Sequence, residues 1–114
     1  MDDITILITG AGAPGIKGTL YSLNNNFDKR VIHTIGTDIR KEVVGKFLCD
    51  KYFQISKAAD NSYVTELLTI CERESVDVIL PQNTMELSVL AKNRKKFEAI
   101  GTAIVISNPK SISI

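Results

Sequence analysis

The sequence predicts a three-layer α/β fold in which a parallel sheet of about five strands, ordered 3-2-1-4-5, carries helices on both faces. Two observations support this prediction. Short β-branched runs alternate along the chain with segments whose apolar residues recur at helical spacing, and a glycine-rich turn follows the first run. Strands that alternate with helices in this way require a parallel sheet, because right-handed crossovers place the helices against its faces. The 114 residues fit one domain, residues 1–114, without a linker or a repeat.

The first half of the chain predicts three strands and two helices. The first strand is a buried β-branched run that ends at glycines, and three consecutive asparagines end the helix after it. The third strand is short, so we expect it near an edge of the sheet. The predicted elements are a strand over 4–8, a helix from Ile16 to about Leu23, a strand over 31–36, a helix over 40–50 and a strand over 51–55.

The second half predicts two helices and two strands. Tyr63, Leu67 and Cys71 form one apolar stripe at helical spacing, which indicates the clearest helix of the chain. Asn61 or Ser62, just before the stripe, can cap this helix. The next strand stops at a proline, which lacks the backbone donor that a central ladder requires. The remaining predicted elements are a strand over 76–80, a helix from Asn83 or Thr84 to about Ala99 and a strand over 103–106.

Composition narrows the function classes. The chain has 14 basic and 13 acidic side chains, so no global charge favours a nucleic-acid partner. No apolar run approaches the roughly 20 residues that cross a bilayer, and we expect a cytoplasmic protein with no membrane partner. Cys49 and Cys71 lie far apart and His33 is the sole histidine, so the spacing of a metal site is absent and we expect reduced thiols.

The glycine turn is the first candidate site. Residues 10–15 match G-x-G-x-x-G between a predicted strand and helix, and Asp38 follows at about the distance of the fingerprint's ribose-binding acid. Glycines let a backbone approach a ligand, and free amides at a helix N-terminus favour an anion. Alternatively, the glycines only permit a tight turn and Asp38 caps the next segment. The candidate residues are Gly10, Gly12, Ala13, Pro14, Gly15 and Asp38.

A second polar corner follows the fourth predicted strand. Gln82 and Glu86 come just after Pro81, at the carboxyl end of that strand, and so we expect them on the same edge of the sheet as the glycine turn. The Gln82 amide can donate and accept hydrogen bonds, and Glu86 can accept them from a substrate amine or hydroxyl. Glu86 can equally reach back to the start of its own helix in a capping box.

Five segments together resemble one family. They are residues 6–12, Asp38, residues 48–52, the run Val76-Asp77-Val78-Ile79-Leu80-Pro81 with Glu86-Leu87 after it, and residues 105–107. The chain resembles, over nearly its whole length, the N-terminal domain of ATP-grasp ligases of the carbamoyl-phosphate synthase large-subunit type. The resemblance implies a Rossmann-like pre-ATP-grasp domain that is followed by further domains.

The resemblance also implies roles for particular residues. In related ligases this domain helps to form the acceptor-substrate pocket, which by position corresponds to Ala13 and Pro14 in the turn, to Gln82, and to Glu86 one helical turn further on. Some relatives have a glutamate in the turn or directly after the proline, where this chain has Ala13 and Gln82. That difference makes a purine-pathway amine a less suitable acceptor.

The resemblance places ATP and Mg²⁺ in later domains, whose binding residues are not in this chain, so we expect neither to bind here. The chain is then expected to be a fragment, inactive alone, of a ligase that joins a carboxylate to an amine or forms a carbamoyl group. Its partners would be a small-molecule acceptor and its own ATP-grasp domain, with a homodimer left open. The alternatives are an NAD(P)-binding module and a non-catalytic interaction domain.

Overall fold

The computed structural model describes residues 3–10, 32–41, 49–82 and 84–105. Within these ranges the chain forms five strands and three helices. In chain order they are β1 (Ile4–Thr9), β2 (Ile32–Asp38), β3 (Lys51–Gln54), α1 (Tyr63–Arg73), β4 (Val78–Leu80), α2 (Thr84–Lys92), α3 (Arg94–Glu98) and β5 (Ala103–Ile104).

The five strands form one parallel sheet in the order β3-β2-β1-β4-β5, as predicted. β1 lies at the centre, where Leu7 is in register with Ile35 of β2 and with Ile79 of β4. The short strand β3 lies at an edge, which confirms the expectation drawn from its length. The Rossmann-like α/β fold is therefore present.

The two faces of the sheet have separate cores, because alternate side chains of a strand point to opposite faces. Leu7, Ile35 and Ile79 form one core with apolar residues of all three described helices, including Leu67, Leu90 and Phe97. Ile6, Ile8 and Cys49 are buried on the other face. The helices predicted over 16–23 and most of 40–50 lie outside the described residues.

Helix α1 follows its predicted apolar stripe. Tyr63, Leu67 and Cys71 are all almost fully buried, and Ser62 takes the N-cap position. The predicted capping bond does not form, however. The Ser62 Oγ lies 3.1 Å from the Ser56 Oγ, to which it donates, and makes no hydrogen bond to the amides of its own helix.

The prediction of one helix to Ala99 is wrong, because the chain breaks at Asn93 into α2 and α3. The Asn93 side chain donates to the carbonyl of Val89 at 2.8 Å, and its backbone N–H donates to Leu90 three residues back. Asparagine competes with helical hydrogen bonding in this way. Ala91, just before the break, is exposed, and Phe97, after it, is completely buried.

Candidate functional site

Three strand ends meet at one edge of the sheet, which we call the carboxyl rim and define by Gly10, Asp38 and Gln82. The rim forms because β1 lies between β2 and β4, so that the residues after these strands are neighbours. The backbone N–H of Gln82 donates to the Thr9 Oγ1 at 3.3 Å and joins the two polar corners directly. The prediction that the corners after the first and fourth strands share one edge is confirmed.

Gly10 begins the glycine turn in a left-handed conformation, with a φ of 62°. A side chain at this φ costs roughly 1–2 kcal/mol, so the position favours glycine whether or not a ligand is present. The remaining predicted turn residues, Gly12, Ala13, Pro14 and Gly15, lie outside the described residues.

A cavity of about 560 Å³ opens at the carboxyl rim. Its wall includes four residues that the sequence singled out, Gly10, Asp38, Gln82 and Glu86. They come from the ends of three different strands and from the first turn of α2. Such a cleft at the carboxyl ends of parallel strands is the usual ligand position in open α/β sheets.

Asp38 is the last residue of β2, whereas the sequence placed it just beyond the strand. Its Oδ1 accepts hydrogen bonds from the backbone N of Arg40 at 3.1 Å and from the Arg40 Nε at 3.2 Å. The bond to the amide two residues on is the local capping contact that the sequence left open for Asp38. The same side chain, only 8% exposed, also lines the cavity.

Glu86 is buried at the cavity wall and accepts a hydrogen bond from Tyr63. The Tyr63 Oη lies 2.7 Å from the Glu86 Oε2, and both side chains are more than nine-tenths buried. Burial, and then the charge of Glu86, raise the pKa of the Tyr63 phenol far above its usual value, so it stays a donor. The bond joins α1 to α2 and gives the Glu86 carboxylate a defined position, which the sequence did not predict.

Two cations at the rim, Arg40 and Lys57, were missed by the sequence analysis, and both line the cavity. A signal for them was available. Arg40 follows β2 and Lys57 follows β3, so the rule that placed Asp38 and Gln82 at the carboxyl ends of strands applies to them equally.

Lys57 lies in a loop that side-chain hydrogen bonds hold against α1. The neighbouring Ser56 donates its backbone N–H to the Glu66 Oε1 at 2.9 Å and its Oγ to the Oε2 at 2.7 Å. These bonds from Ser56 lower the pKa of Glu66, which keeps the acceptor charged at neutral pH. The Lys57 carbonyl then accepts from the Asp60 N–H at 2.9 Å.

The sequence analysis considered three side chains as possible metal ligands, those of His33, Cys49 and Cys71. His33 is exposed and pairs with Asp3 through a 3.0 Å contact, and Cys49 and Cys71 are buried free thiols. Burial raises the pKa of Cys71 to about 12, as expected for a thiol packed as a small apolar side chain. Within the described ranges no group of three or more His, Cys, Asp or Glu side chains could hold a metal ion.

None of the helices in the part of the chain that the structure describes has the length and apolar character needed to cross a bilayer.

Comparison with solved structures identifies a protein of similar fold. The crystal structure of a branched-chain phosphotransacylase from Enterococcus faecalis V583 matches with a TM-score of 0.53 and 21% sequence identity. The match covers 76% of this chain and 31% of that chain, and at this identity it supports the fold alone. No curated protein matches the chain.

The sequence also matches a family model. The PylC-like N-terminal domain model covers residues 6–105, a span that contains β2 to β5, most of β1, the carboxyl rim and residues 10–15 of the glycine turn. The chain therefore belongs to the PylC-like N-terminal domain family, in the pre-ATP-grasp group of ATP-grasp ligases.

Proposed function

We propose that this chain is the substrate-side N-terminal domain of an ATP-dependent ligase, inactive without the domains that complete the enzyme. The family match over residues 6–105 is the observation that supports this most strongly. The reaction we propose joins a carboxylate to an amine or forms a carbamoyl group, as in carbamoyl-phosphate synthase-like enzymes. The proposal includes a cytoplasmic location, a small-molecule acceptor and contact with an ATP-grasp domain.

In this proposal the rim cavity holds the acceptor. Glu86 accepts hydrogen bonds from the acceptor amine, because the bond from Tyr63 orients one carboxylate oxygen and a carboxylate offers about four lone-pair sites. Gln82 supplies an amide group, and Gly10, which lacks a Cβ, lets the backbone approach the ligand closely. Binding of this kind lowers a reaction barrier by proximity, since it removes the cost of bringing two reactants together.

ATP would supply the phosphoryl group that activates the carboxylate, so that an attacking amine displaces phosphate. We assign the binding of ATP and Mg²⁺ to later domains of the enzyme. The contribution of the present chain is then to hold and orient the acceptor.

A dinucleotide-binding module is the second candidate. It is favoured by the position of Gly10 and Asp38, which line one cavity as the fingerprint requires. The Asp38 Oδ1, however, already accepts two hydrogen bonds from Arg40, which reduces its capacity to bind a ribose hydroxyl. The ligase domain is therefore the better-supported function.

The ligase-domain and dinucleotide-module proposals predict that different ligands shift the amide NMR signals of the isotope-labelled chain. We expect millimolar pentylamine, an amine without a second charge, to shift signals at Gly10, Gln82 and Glu86. NAD and Mg-ATP should leave them unchanged. Glu86→Gln should weaken pentylamine binding about tenfold, equivalent to roughly 1.4 kcal/mol, whereas Glu72→Gln, at an exposed position of α1, should not.

Micromolar binding of NAD would instead identify a dinucleotide module. If neither pentylamine nor NAD shifts any rim signal, the proposal fails and a non-catalytic interaction domain becomes the better description.

A further inference from the structure

The positive charges of the cavity lie together on one side of it. Arg40 follows β2 and Lys57 follows β3; β3 is an edge strand of the sheet and β2 is its neighbour. Glu86 lies on α2, which follows β4 on the other side of β1. With strands about 4.8 Å apart, β2 and β4 are separated by roughly 10 Å and β3 and β4 by roughly 14 Å. One side of the cavity wall therefore has two cations and the Asp38 carboxylate that pairs with Arg40, and the other side has the Glu86 carboxylate.

The contacts of the two cations differ. The Arg40 Nε is bound to Asp38, so the guanidinium is oriented by that carboxylate and can still donate from its two terminal nitrogens. Lys57 makes no ion pair or side-chain hydrogen bond with the residues that the structure describes. The backbone of Lys57 is nevertheless positioned, because Ser56 and Asp60 on either side are hydrogen-bonded.

The wall also includes apolar side chains, among them Ile39, Ile55 and Met85. Ile39 and Met85 are about half exposed, with 48% and 59% of their surfaces accessible, although large apolar side chains are more stable when covered. A ligand with an aliphatic body would cover them. A ligand with charge at its amine end alone would leave Lys57 without a counter-ion among the residues that the structure describes.

From this arrangement we propose that the ligand of the rim cavity carries, at the end remote from its amine, an anionic group that Lys57 and Arg40 bind. The shared chemistry is that of a carboxylate or a phosphate, both of which accept hydrogen bonds from lysine and arginine. The inference rests on the proposed function, since it extends the acceptor whose amine lies at Glu86.

The test compares probes that share the amine and differ at the other end. Pentylamine carries the amine alone, 5-aminopentanoate adds a carboxylate, and 3-aminopropylphosphonate adds a phosphate-like group. Dissociation constants are measured by NMR titration of the labelled chain at low ionic strength. We expect at least one anionic probe to bind about tenfold more tightly than pentylamine, as one charge-assisted hydrogen bond would allow. The two anionic probes distinguish a carboxylate from a phosphate.

Variants of Lys57 separate recognition from folding. Lys57→Gln should remove the tenfold gain of the anionic probe and leave pentylamine binding equal or slightly tighter, because a repulsive charge is lost. Lys57→Arg should restore the gain. The matched control is Lys95→Gln, at an exposed position of α3, which should change neither affinity. A purely structural role of Lys57 would weaken both probes together.

The outcomes also separate this inference from the function on which it rests. If pentylamine binds at the rim but neither anionic probe binds more tightly, the anionic subsite is wrong and the acceptor site stands. An anionic gain that survives Lys57→Gln overturns the assignment of Lys57. If no amine probe binds at all, the proposed function itself fails.

Discussion

The two ends of the sheet use the same kinds of side chain differently. We define the amino edge by Thr5, Thr34, Asp50 and Asp77, which lie near the starts of the strands. There the Asp50 Oδ2 accepts from the Thr34 backbone N at 2.8 Å, and the Asp77 Oδ2 accepts from the Thr5 backbone N at 2.9 Å. Each aspartate immediately precedes a strand and satisfies a backbone amide of the neighbouring strand just before their paired residues begin.

At the carboxyl rim, acidic side chains also have partners, but they surround a larger space. Asp38 and Glu86 line the cavity of about 560 Å³, whereas the cavity beside Asp50 measures about 210 Å³. At the amino edge, carboxylates therefore accept hydrogen bonds from backbone amides that have no partner in the sheet. At the rim, carboxylates also form the wall of a space that could take a small molecule. Hydrogen bonding by itself does not distinguish the two roles, and variants are needed to do so.

The largest effect is expected from Tyr63→Phe. The change removes the hydrogen bond to a buried carboxylate and should lower the free energy of unfolding by about 2 kcal/mol. Urea denaturation measures the change. Tyr52→Phe is the matched control, because the Tyr52 hydroxyl donates to the Arg40 carbonyl in an exposed position and should contribute less than about 1 kcal/mol. Equal losses in the two variants would contradict the importance of burial at the rim.

Asp50→Ala tests the amino edge and should cost about 1.5 kcal/mol, because it leaves the Thr34 amide without its acceptor. Asp60→Ala removes an exposed carboxylate of the same type and should cost less than about 0.5 kcal/mol. Thermal and urea unfolding measure both. The titration with pentylamine should be the same in Asp50→Ala as in the parent chain, and a changed affinity would mean that the two ends of the sheet are not independent.

Gly10→Ala should have the smallest effect on stability, about 1 kcal/mol, because alanine must adopt a φ of 62°. Gly101→Ala is a control with similar strain, since Gly101 has a φ of 85° and no heavy atom within 4 Å of an added Cβ. Chemical denaturation should show comparable losses. Only Gly10→Ala is expected to alter the response to amine probes, and an equal response in both variants would remove the glycine turn from the proposed site.

Much of the fold could be predicted because its signals are local. The β-branched run at Ile4 and the apolar stripe from Tyr63 to Cys71 could be recognised because strands and helices place side chains on one face at fixed sequence spacings. The break at Asn93 could not be predicted in this way, because the same apolar spacing continued to Phe97. Whether an asparagine interrupts a helix depends on which hydrogen bonds its side chain finds.

The candidate site was predictable only in part. The rule that ligands bind at the carboxyl ends of parallel strands brought Gly10, Asp38 and Gln82 together, and these residues do share one rim. The same rule predicts that Lys57, which follows β3, lies at this rim, but Lys57 belongs to no sequence motif that would have singled it out. The bond between Tyr63 and Glu86 joins residues 23 positions apart on two helices, and neither residue alone indicated it.

The sequence by itself determined the order of the elements, the parallel sheet and the edge to which the polar corners belong. These follow from periodicity, from proline and glycine, and from the handedness of crossovers, all of which are properties of the chain over short distances. Only the tertiary structure decided which carboxylates are buried, which partners orient them and where the cations lie. Those properties depend on packing between elements distant in sequence, and burial determines how strongly each charge requires a partner.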